Sequence, residues 1–497
     1  MSISKHIKEH AVLGITQDGA KVLSVGVSGS FPTIQAAVDY IETQDAFTPI
    51  TNMLTDGIVS ASTPWAQGAS TFLLSTTATT STAAFVMEVN TDRVWVKAAG
   101  DTYHYKLEGT YDVVLSTQQI QVAQRRHEVA TSGAVALSWF KENRFIIKLL
   151  DDTDDADFTI SDDVFITFVG NGSTNLAGKV KRTTDFKQGC LTFKGLVVGS
   201  AGTDGMFSTA GSWDSANNIT LECLDSEVAT IENDWIFPSA YLGEFKATNT
   251  IFTSQPTAVQ GHCIAPKHVA GDIICLNVSW KPVAHTANRF TSNILFCDLP
   301  TGGGSARNII INGLSVYVRD QNAGFQNVNI FGNSTNTVGT ANIFINDVCI
   351  IAPDSATTNF NIIQIAAVTT GMAAQIGTCS IISSTSGTIK LVDAPASIAG
   401  ASTVLIGRGN STVIADKSTN LTYVVEPAGA SGSGSTTAAS SDVITHGLGY
   451  TPLAEDINVV LTADDTGVSF IITSITDTSF TVTLSASATT AFKWRIE

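Results

Sequence analysis

Six acidic residues between positions 222 and 244 form the best candidate for catalytic chemistry in this sequence. They are Glu222, Asp225, Glu227, Glu232, Asp234 and Glu244. Glycoside hydrolysis uses two carboxyl groups, about 5 Å apart for retention of configuration and about 6.5 to 9.5 Å apart for inversion. Glu222 and Asp225 flank a corner between two apolar runs, where either side chain can point outward into a groove. Solvated corner acids give the same pattern and are commoner, so Glu222, Asp225 and Glu244 are weak catalytic candidates.

Aromatic residues beside polar ones mark four weak candidate carbohydrate-binding positions. They are Trp213, Trp235, Tyr241 and Trp280. A sugar offers C–H faces on which an aromatic ring can stack, and hydroxyl groups for charge-assisted hydrogen bonds. The segments around these positions also contain Asp, Asn and Arg. The same rings can instead fix loops to the wall of the fold, and both interpretations stay open.

Metal and cofactor chemistry is not favoured by the motifs. Residues 151–157 hold five Asp, and Ca²⁺ prefers oxygen ligands, but the spacing of an EF-hand is absent and a solvated loop is favoured. No nucleotide-binding, metalloprotease or serine-hydrolase motif occurs. His446 has no Ser or Asp partner at a telling spacing. We predict no metal site and no cofactor.

Seven cysteines are spread along the middle of the chain without a CxxC pair. They are Cys190, Cys223, Cys263, Cys275, Cys297, Cys349 and Cys379. Free cysteine is among the most buried residue types, so thiols stacked in a core are favoured over metal ligands or nucleophiles.

Charge and hydropathy exclude two classes of partner. The formal net charge is −17, whereas binding to nucleic-acid phosphates needs clustered Lys and Arg. The longest apolar runs are too short to span a bilayer, and the N-terminus lacks the apolar segment of a signal peptide. We therefore expect neither nucleic-acid binding nor membrane insertion, and folding in a cytoplasm.

The elements that would position these residues are predicted from two near-copies, NIIINGLSVYV at 308–318 and NIFINDVCIIA at 342–352. Each begins with Asn, and a second Asn follows four residues later, at Asn312 and Asn346. A strand, a polar corner and a second strand form one coil of a β-solenoid, and a spacing in this range is typical of repeats. Coils must stack because one coil cannot bury its own apolar face. We expect apolar side chains and Asn to stack inside; a β-sandwich is the less favoured alternative.

A short amphipathic helix is predicted ahead of the solenoid. Thr33 can cap a helix in which Ile34, Ala37, Val38 and Ile41 form one apolar stripe. Such a helix can cover the first coil, whose apolar cross-section would otherwise face water.

The run SFPTIQAAVD at 30–39 resembles the N-terminal capping helix of right-handed parallel β-helix proteins of the pectate-lyase and phage-tailspike type. Residues 144–174 resemble the first coil of that family. The THGLGYTP and FKWR segments near the C-terminus are similar to small β-sandwich modules of phage tail fibres and tailspikes. The resemblance implies an all-β, right-handed parallel β-helix with a C-terminal β-sandwich. It also implies a homotrimer in a phage particle.

Composition and motifs divide the chain into six predicted segments. They are an N-terminal attachment segment at 1–28, a capping helix at 29–43, an inserted small β-rich domain at 44–143, a parallel β-helix at 144–426, a linker at 427–442 and a β-sandwich module at 443–497. The linker is Gly- and Ser-rich. In the insertion, residues 85–109 predict an antiparallel hairpin and residues 118–130 a helix. Its aromatic residues are assigned to its core in preference to sugar binding.

The functional hypothesis is a tailspike or tail fibre that binds host-surface polysaccharide through solenoid loops. Its partners would be two further copies of the chain and other tail or virion proteins, and it would assemble in the host cytoplasm. Two alternatives are a polysaccharide depolymerase of the same fold, either hydrolase or lyase, and a structural head fibre or decoration protein.

Overall fold

The structure is a computed structural model of the 497-residue chain. It describes residues 14–15, 19–50, 58–59, 71–73, 94–108, 119–122, 135–150, 156–200, 218–230, 241–242, 244–254, 260–264, 268–269, 272–282, 290–296, 307–317, 325–333, 341–352, 359–365, 372–383, 389–393, 402–406, 421–425, 431–436, 441–445, 457–461, 469–476, 479–484 and 490–496. The chain forms two compact units, Met1–Val404 with Ser411–Thr422 and Leu405–Asn410 with Tyr423–Glu497.

The N-terminal part contains two strands and one helix, β1 (Gly14–Ile15), β2 (Lys21–Val25) and α1 (Ile34–Glu42). Strand β2 pairs in parallel with the first strand of the solenoid, so the range predicted as an attachment segment includes a solenoid strand. Helix α1 has the predicted cap, because the Thr33 hydroxyl accepts from the Ala36 N–H at 3.2 Å. The predicted stripe is also confirmed, since Ile34, Ala37, Val38 and Ile41 are its buried residues.

The inserted segment is an antiparallel sheet. Its strands are β3 (Phe47–Pro49), β4 (Ile58–Val59), β5 (Thr71–Leu73), β6 (Val94–Ala98), β7 (Tyr105–Glu108), β8 (Gln119–Val122) and β9 (Val135–Glu142). Strands β6 and β7 form the predicted hairpin. The helix predicted at 118–130 is wrong for the residues of β8, because this segment pairs as a strand with β7 and β5.

Aromatic side chains attach this sheet to the solenoid. The Phe47 ring lies 5.4 Å from Trp95 and 5.3 Å from Phe165, and Trp95 lies 5.3 Å from Phe165, centroid to centroid. Tyr105 is 2% exposed. These positions agree with packing inside the insertion and against the solenoid; Trp65 and Tyr111 lie outside the described residues.

The solenoid contains the following strands. They are β10 (Arg144–Leu149), β11 (Phe158–Ile160), β12 (Val164–Leu176), β13 (Val180–Arg182), β14 (Gln188–Ser200), β15 (Asn218–Leu224), β16 (Glu227–Thr230), β17 (Tyr241–Leu242), β18 (Glu244–Thr248), β19 (Ile251–Ser254), β20 (Gln260–Ile264), β21 (His268–Val269), β22 (Ile273–Pro282), β23 (Phe290–Phe296), β24 (Arg307–Tyr317), β25 (Phe325–Asn333), β26 (Ala341–Ala352), β27 (Asn359–Ile365), β28 (Met372–Ile376), β29 (Cys379–Ser383), β30 (Ile389–Asp393), β31 (Ser402–Ile406) and β32 (Leu421–Val425).

The strand pairing is that of a parallel β-helix. The main sheet runs β1-β2-β10-β12-β14-β15-β18-β22-β24-β26-β28-β31-β32, and β20-β23-β25-β27-β30 form a second sheet from strands that alternate with these along the chain. The two near-copies are neighbours, because β24 pairs with β26 in parallel and Asn312 aligns with Asn346. The predicted all-β solenoid is thus confirmed; its handedness and a trimeric state stay predictions.

Interior side chains stack in columns along the solenoid. One column is Phe168, Phe193, Cys223, Ala247, Cys275, Ile311, Ile345 and Ile376, all of them buried. The rings of Phe168 and Phe193 stack with centroids 5.2 Å apart. Each coil adds one residue to the column, so the buried apolar surface area grows with every coil.

In six successive coils, from β14 to β26, one residue of the main sheet adopts a left-handed backbone conformation. Strand register places these residues above one another: Gly195 (φ 61), Asp225 (φ 49), Asn249 (φ 50), Asn277 (φ 52), Gly313 (φ 74) and Asp347 (φ 51). Only Gly, Asn and Asp occupy the column, and these are the residue types that tolerate this conformation best.

Asparagine side chains form ladders, but on the outside of the solenoid. The Asn346 amide donates to Asn312 Oδ1 at 3.1 Å, and the Asn342 amide to Asn308 Oδ1 at 3.3 Å. Asn308, Asn312 and Asn342 are exposed, so the expectation that these Asn fill the interior is wrong. On the outside, water can form hydrogen bonds with the amide donors and acceptors that the ladder does not use. A buried Asn does occur on the second sheet, at Asn361.

The capping helix supplies backbone-like hydrogen bonds to the edge of β11. The Gln35 amide donates to the Thr159 carbonyl at 3.0 Å, and the Thr159 N–H donates back to Gln35 Oε1 at 2.7 Å. The Ser161 N–H donates to Glu42 Oε1 at 2.5 Å. One amide side chain thereby occupies the place of a neighbouring strand and protects an open edge.

We expect Gln35→Ala to destabilise this end of the solenoid by about 1 to 2 kcal/mol, because two hydrogen bonds to the strand edge are lost. Hydrogen exchange of the β11 amides measures the effect. Gln44→Ala, which removes a contact with Thr43 just beyond the helix, is the matched control. Equal protection of β11 in both variants would contradict the capping role.

The C-terminal unit contains a β-sandwich with its own core. Its strands are β33 (Ser431–Thr436), β34 (Ser441–Thr445), β35 (Ile457–Leu461), β36 (Phe470–Thr473), β37 (Ser479–Leu484) and β38 (Thr490–Ile496). The sheets β33-β38-β35 and β34-β37-β36 bury a shared cluster that includes Phe480, Phe492 and Trp494. The predicted sandwich is therefore present.

Part of the range predicted as a linker, 427–442, is strand instead, because it contains β33 and the start of β34. Gly432 pairs with Trp494 and Gly434 with Phe492. In an antiparallel pair, opposed residues share a face, so two glycines stand opposite two large aromatic residues.

Candidate functional site: the outer face of the solenoid

Strand register brings two of the three candidate acids onto one outward face. Leu221 and Cys223 of β15 are buried, and so are Phe245 and Ala247 of β18. Since side chains alternate along a strand, Glu222, Glu244 and Lys246 project to the outside. Glu222 aligns with Lys246, and Glu244 lies two residues before Lys246.

Hydrogen bonds and an ion pair fix these side chains. The Thr192 hydroxyl of β14 donates to Glu222 Oε2 at 3.0 Å, and Lys246 Nζ lies 3.0 Å from Glu244 Oε1. Burial lowers the pKa of Lys246, but the carboxylates of Glu244 and Glu222 more than offset this and the pKa is raised. Thr192, Glu222, Glu244 and Lys246 are called the outer-face cluster below.

The third candidate acid, Asp225, has a structural explanation. It is the left-handed residue of its coil, and its side chain is exposed at the bend. The Asn249 amide donates to Asp225 Oδ1 at 2.9 Å, and the Asn277 amide to Asn249 Oδ1 at 3.3 Å. Asp225 is thus a rung of the bend ladder. A catalytic role for any of the three acids stays a prediction.

Cys190 adjoins the cluster but is a poor nucleophile. Its Sγ lies 3.6 Å from the Thr192 hydroxyl, and burial, with a contribution from Glu222, raises the pKa of the thiol to about 12. A nucleophilic cysteine needs the thiolate form, which is scarce near neutral pH at this value.

The prediction of core thiols holds for part of the set. Cys223 and Cys275 are buried in one interior column. Cys190 and Cys349 are half-buried and face outward, since their strand neighbours Leu191 and Ile350 are interior. The side chains of Cys263 and Cys297 lie outside the described part of the chain.

Charged residues at the junction with the insertion extend this face toward the N-terminus. Glu142 is buried; Trp95 Nε1 donates to its Oε2 at 2.7 Å, and Arg144 forms an ion pair with its Oε1. Arg144 aligns with Phe165, and Phe165 with Cys190, so the junction and the cluster share one face. Neither Glu142 nor Thr192 nor Lys246 carried a recognisable motif in the sequence.

The carbohydrate-binding prediction is wrong for Trp280. Its side chain is 0% exposed and lies in the interior column between Phe252 and Val316. A ring enclosed in the core cannot stack on a glycan. Trp213 and Trp235 lie outside the described residues; Tyr241 begins the two-residue strand β17, and its side chain is also outside the described part.

The acidic turn is only partly described, because residues 151–155 lie outside the described ranges. Asp157 accepts from the Lys179 N–H at 2.9 Å and pairs with Lys181 Nζ at 2.7 Å. Burial acts to raise the pKa of Asp157, but the bonds from Lys181 and Lys179 outweigh it and lower the pKa. Within the described ranges, no group of three or more His, Cys, Asp or Glu is arranged to hold a metal ion.

Two further observations concern the whole chain. In its described part, none of the helical structure has the length and apolar character that a bilayer crossing requires. Neither a protein-family profile nor a curated protein matches the sequence.

Two solved structures show a distant similarity. The tailspike protein gp49 from Pseudomonas phage LKA1 is 11% identical, with 89% of this chain and 81% of that chain covered at a TM-score of 0.33. The Pseudomonas phage phi297 tailspike gp61 is 10% identical, with 88% and 81% covered at a TM-score of 0.25. The fold assignment depends on the strand pairing of this chain itself, which is that of a parallel β-helix.

Proposed function

We propose that this protein is a virion appendage, a phage tailspike or tail fibre, that binds polysaccharide on the host surface. Three parts of the chain support this: a capped parallel solenoid, a C-terminal β-sandwich, and sequence segments that resemble those of phage appendages. The observation that carries glycan binding is the outer-face cluster, in which hydrogen-bonding groups are held on rigid strands. Trp213, Trp235 and Tyr241 in neighbouring segments stay candidates for stacking on sugar rings.

The first test is binding of purified full-length protein to capsular and lipopolysaccharide glycans on an array. We expect Glu222→Gln to weaken binding at least 10-fold, because a charge-assisted hydrogen bond to a sugar hydroxyl contributes about 1.5 to 3 kcal/mol. The thermal midpoint should change little. Glu227→Gln is the matched control, since Glu227 is also held by a hydroxyl, that of Thr253 at 3.4 Å, but on the strand after the bend.

Equal binding by wild type and both variants would remove the outer-face cluster from the glycan site. A blank array for wild type would favour the structural alternative, a head fibre or decoration protein.

The geometry also favours one enzymatic alternative, a depolymerase. Glu222 and Glu244 lie on adjacent strands with a two-residue offset. A strand spacing of about 4.8 Å and a rise of about 3.3 Å per residue put their backbone positions roughly 8 Å apart. Because both side chains leave the same face of the sheet, their carboxyl groups can lie near the separation of about 6.5 to 9.5 Å that inverting glycosidases use. New reducing ends that vanish in both Glu222→Gln and Glu244→Gln would establish this activity; their absence with wild type would exclude it.

The proposal includes a homotrimer, attached to other tail or virion proteins and assembled in the host cytoplasm. Sedimentation equilibrium should then give three times the chain mass of 52.2 kDa. A monomer at micromolar concentration would contradict it. Labelling the chain in electron micrographs of the particle would locate it on the tail or the head.

A further inference from the structure

One contact between the inserted sheet and the solenoid depends on a single histidine. His104 precedes β7, and its backbone N–H donates to Gln188 Oε1 at 2.8 Å, while the Gln188 amide lies 2.9 Å from His104 Nδ1. The same amide donates to Asp163 Oδ2 at 2.9 Å. Residues 84 positions apart are thereby joined across the interface.

The Gln188 amide has one consistent orientation. Its oxygen must face the His104 N–H, so its nitrogen faces both Nδ1 and the Asp163 carboxylate. A flipped amide would set a donor against a donor and an oxygen against a carboxylate. His104 Nδ1 therefore has to accept, and the ring proton belongs on Nε2.

Aromatic and charged groups surround this imidazole. Phe47 of β3 stacks on it with centroids 3.9 Å apart, and Phe140 of β9 meets it edge-on at 4.5 Å. The charged groups that act on the ring are Lys97 of β6 and Asp101 of the following turn. On the solenoid side, Asp163 lies beyond Gln188 and accepts from the Lys187 and Gln188 N–H groups at 2.8 and 2.9 Å.

We propose that this contact is a proton-operated latch, in which protonation of His104 at Nδ1 releases the β7 edge of the inserted sheet from the solenoid. A proton on Nδ1 sets two N–H donors face to face and breaks the bond to Gln188. The solenoid itself stays wound, because parallel strand pairing and stacked interior side chains hold its coils together without His104. The latch is independent of glycan binding.

The acid direction of the latch follows from the surroundings of the ring. The pKa of His104 is lowered to about 4, chiefly by burial and also by Lys97, while Asp101 acts to raise it. Because the neutral ring is favoured in the folded state, the contact is fully formed above about pH 6.5 and is lost as the pH falls toward 4. Burial also raises the pKa of Asp163. Protonation of Asp163 therefore favours the closed contact, in which this carboxyl is buried. The latch opens in acid only if protonation of His104 has the larger effect on the free energy of the contact.

Hydrogen exchange of the full-length chain across pH 7 to 4, corrected for intrinsic exchange rates, tests the latch. We expect protection of residues 103–108 to fall at least 10-fold toward pH 4, while residues 307–317 and 341–352 keep theirs. His104→Phe retains the stacked ring but cannot be charged, so its protection should not depend on pH. Lys97→Gln should move the midpoint to higher pH and Asp101→Asn to lower pH. His446→Phe, in the other compact unit, should behave as wild type.

If residues 103–108 of His104→Phe lose protection toward pH 4 as they do in the wild type, the latch is overturned. Loss of solenoid protection at the same pH as residues 103–108 would do so as well, since the whole unit would then be unfolding. If His104→Phe does not fold, Lys97→Gln and Asp101→Asn decide. The proposal is rejected if the pH midpoints for loss of protection in these two variants do not move apart.

Discussion

Trp280→Ala is expected to lower the free energy of unfolding by about 3 to 5 kcal/mol, the usual cost of removing a fully buried large aromatic side chain. The ring is 0% exposed and shares its interior column with Phe252 and Val316 in the neighbouring coils. Its removal leaves a cavity that the rigid ladders on either side cannot close. Urea denaturation followed by far-UV circular dichroism should show the midpoint moving to lower urea.

Tyr317→Ala is the matched control, because Tyr317 on the next strand is 38% exposed. Its truncation should cost less than about 1.5 kcal/mol. At concentrations corrected for the folded fraction, Trp280→Ala should bind glycan as wild type does. Lost glycan binding at an unchanged denaturation midpoint would instead place Trp280 on the surface.

Gly313→Ala is expected to destabilise the solenoid by about 2 to 4 kcal/mol, the second large effect. Gly313 has φ 74, and a methyl group there would lie 2.5 Å from Asn277 Oδ1. The substitution therefore adds a steric clash to the cost of a left-handed conformation. Denaturation midpoints measure it.

Two further variants separate the clash from the conformational cost. Gly172 has φ 93 with nothing within 4 Å of the added carbon, so Gly172→Ala should show the conformational cost alone, about 1 to 2 kcal/mol. In the double variant with Asn277→Ala, the clashing oxygen is gone, and the total cost should be less than the sum of the single costs. Strict additivity would show that Asn277 does not constrain Gly313.

A left-handed residue turns Trp280 into the interior, although the polar residues that follow it in the sequence made it a carbohydrate-binding candidate. Strict alternation from the interior residues Ile273 and Cys275 would put position 277 inside and Trp280 outside. Asn277 takes a left-handed conformation instead, and the interior positions resume at Val278 and Trp280. One such residue inverts the facing of everything after it in the strand, because side chains alternate with a period of two.

Plain alternation ahead of the left-handed residue is enough to place the ladder asparagines outside. In β24 the interior residues are Ile309 and Ile311, then Leu314 and Val316, with Gly313 at the bend. Asn312 therefore faces water, although its spacing correctly predicted that it stacks on Asn346.

Local patterns in the sequence determined the repeating unit, the capped helix and the all-β class, because apolar periodicity and capping act between residues a few positions apart. Only the tertiary structure decided which distant side chains meet: Glu222 with Thr192 and Lys246, and His104 with Gln188. Those contacts depend on the register between coils and on where the inserted sheet packs. Coils of unequal length leave that register open until their interior columns align.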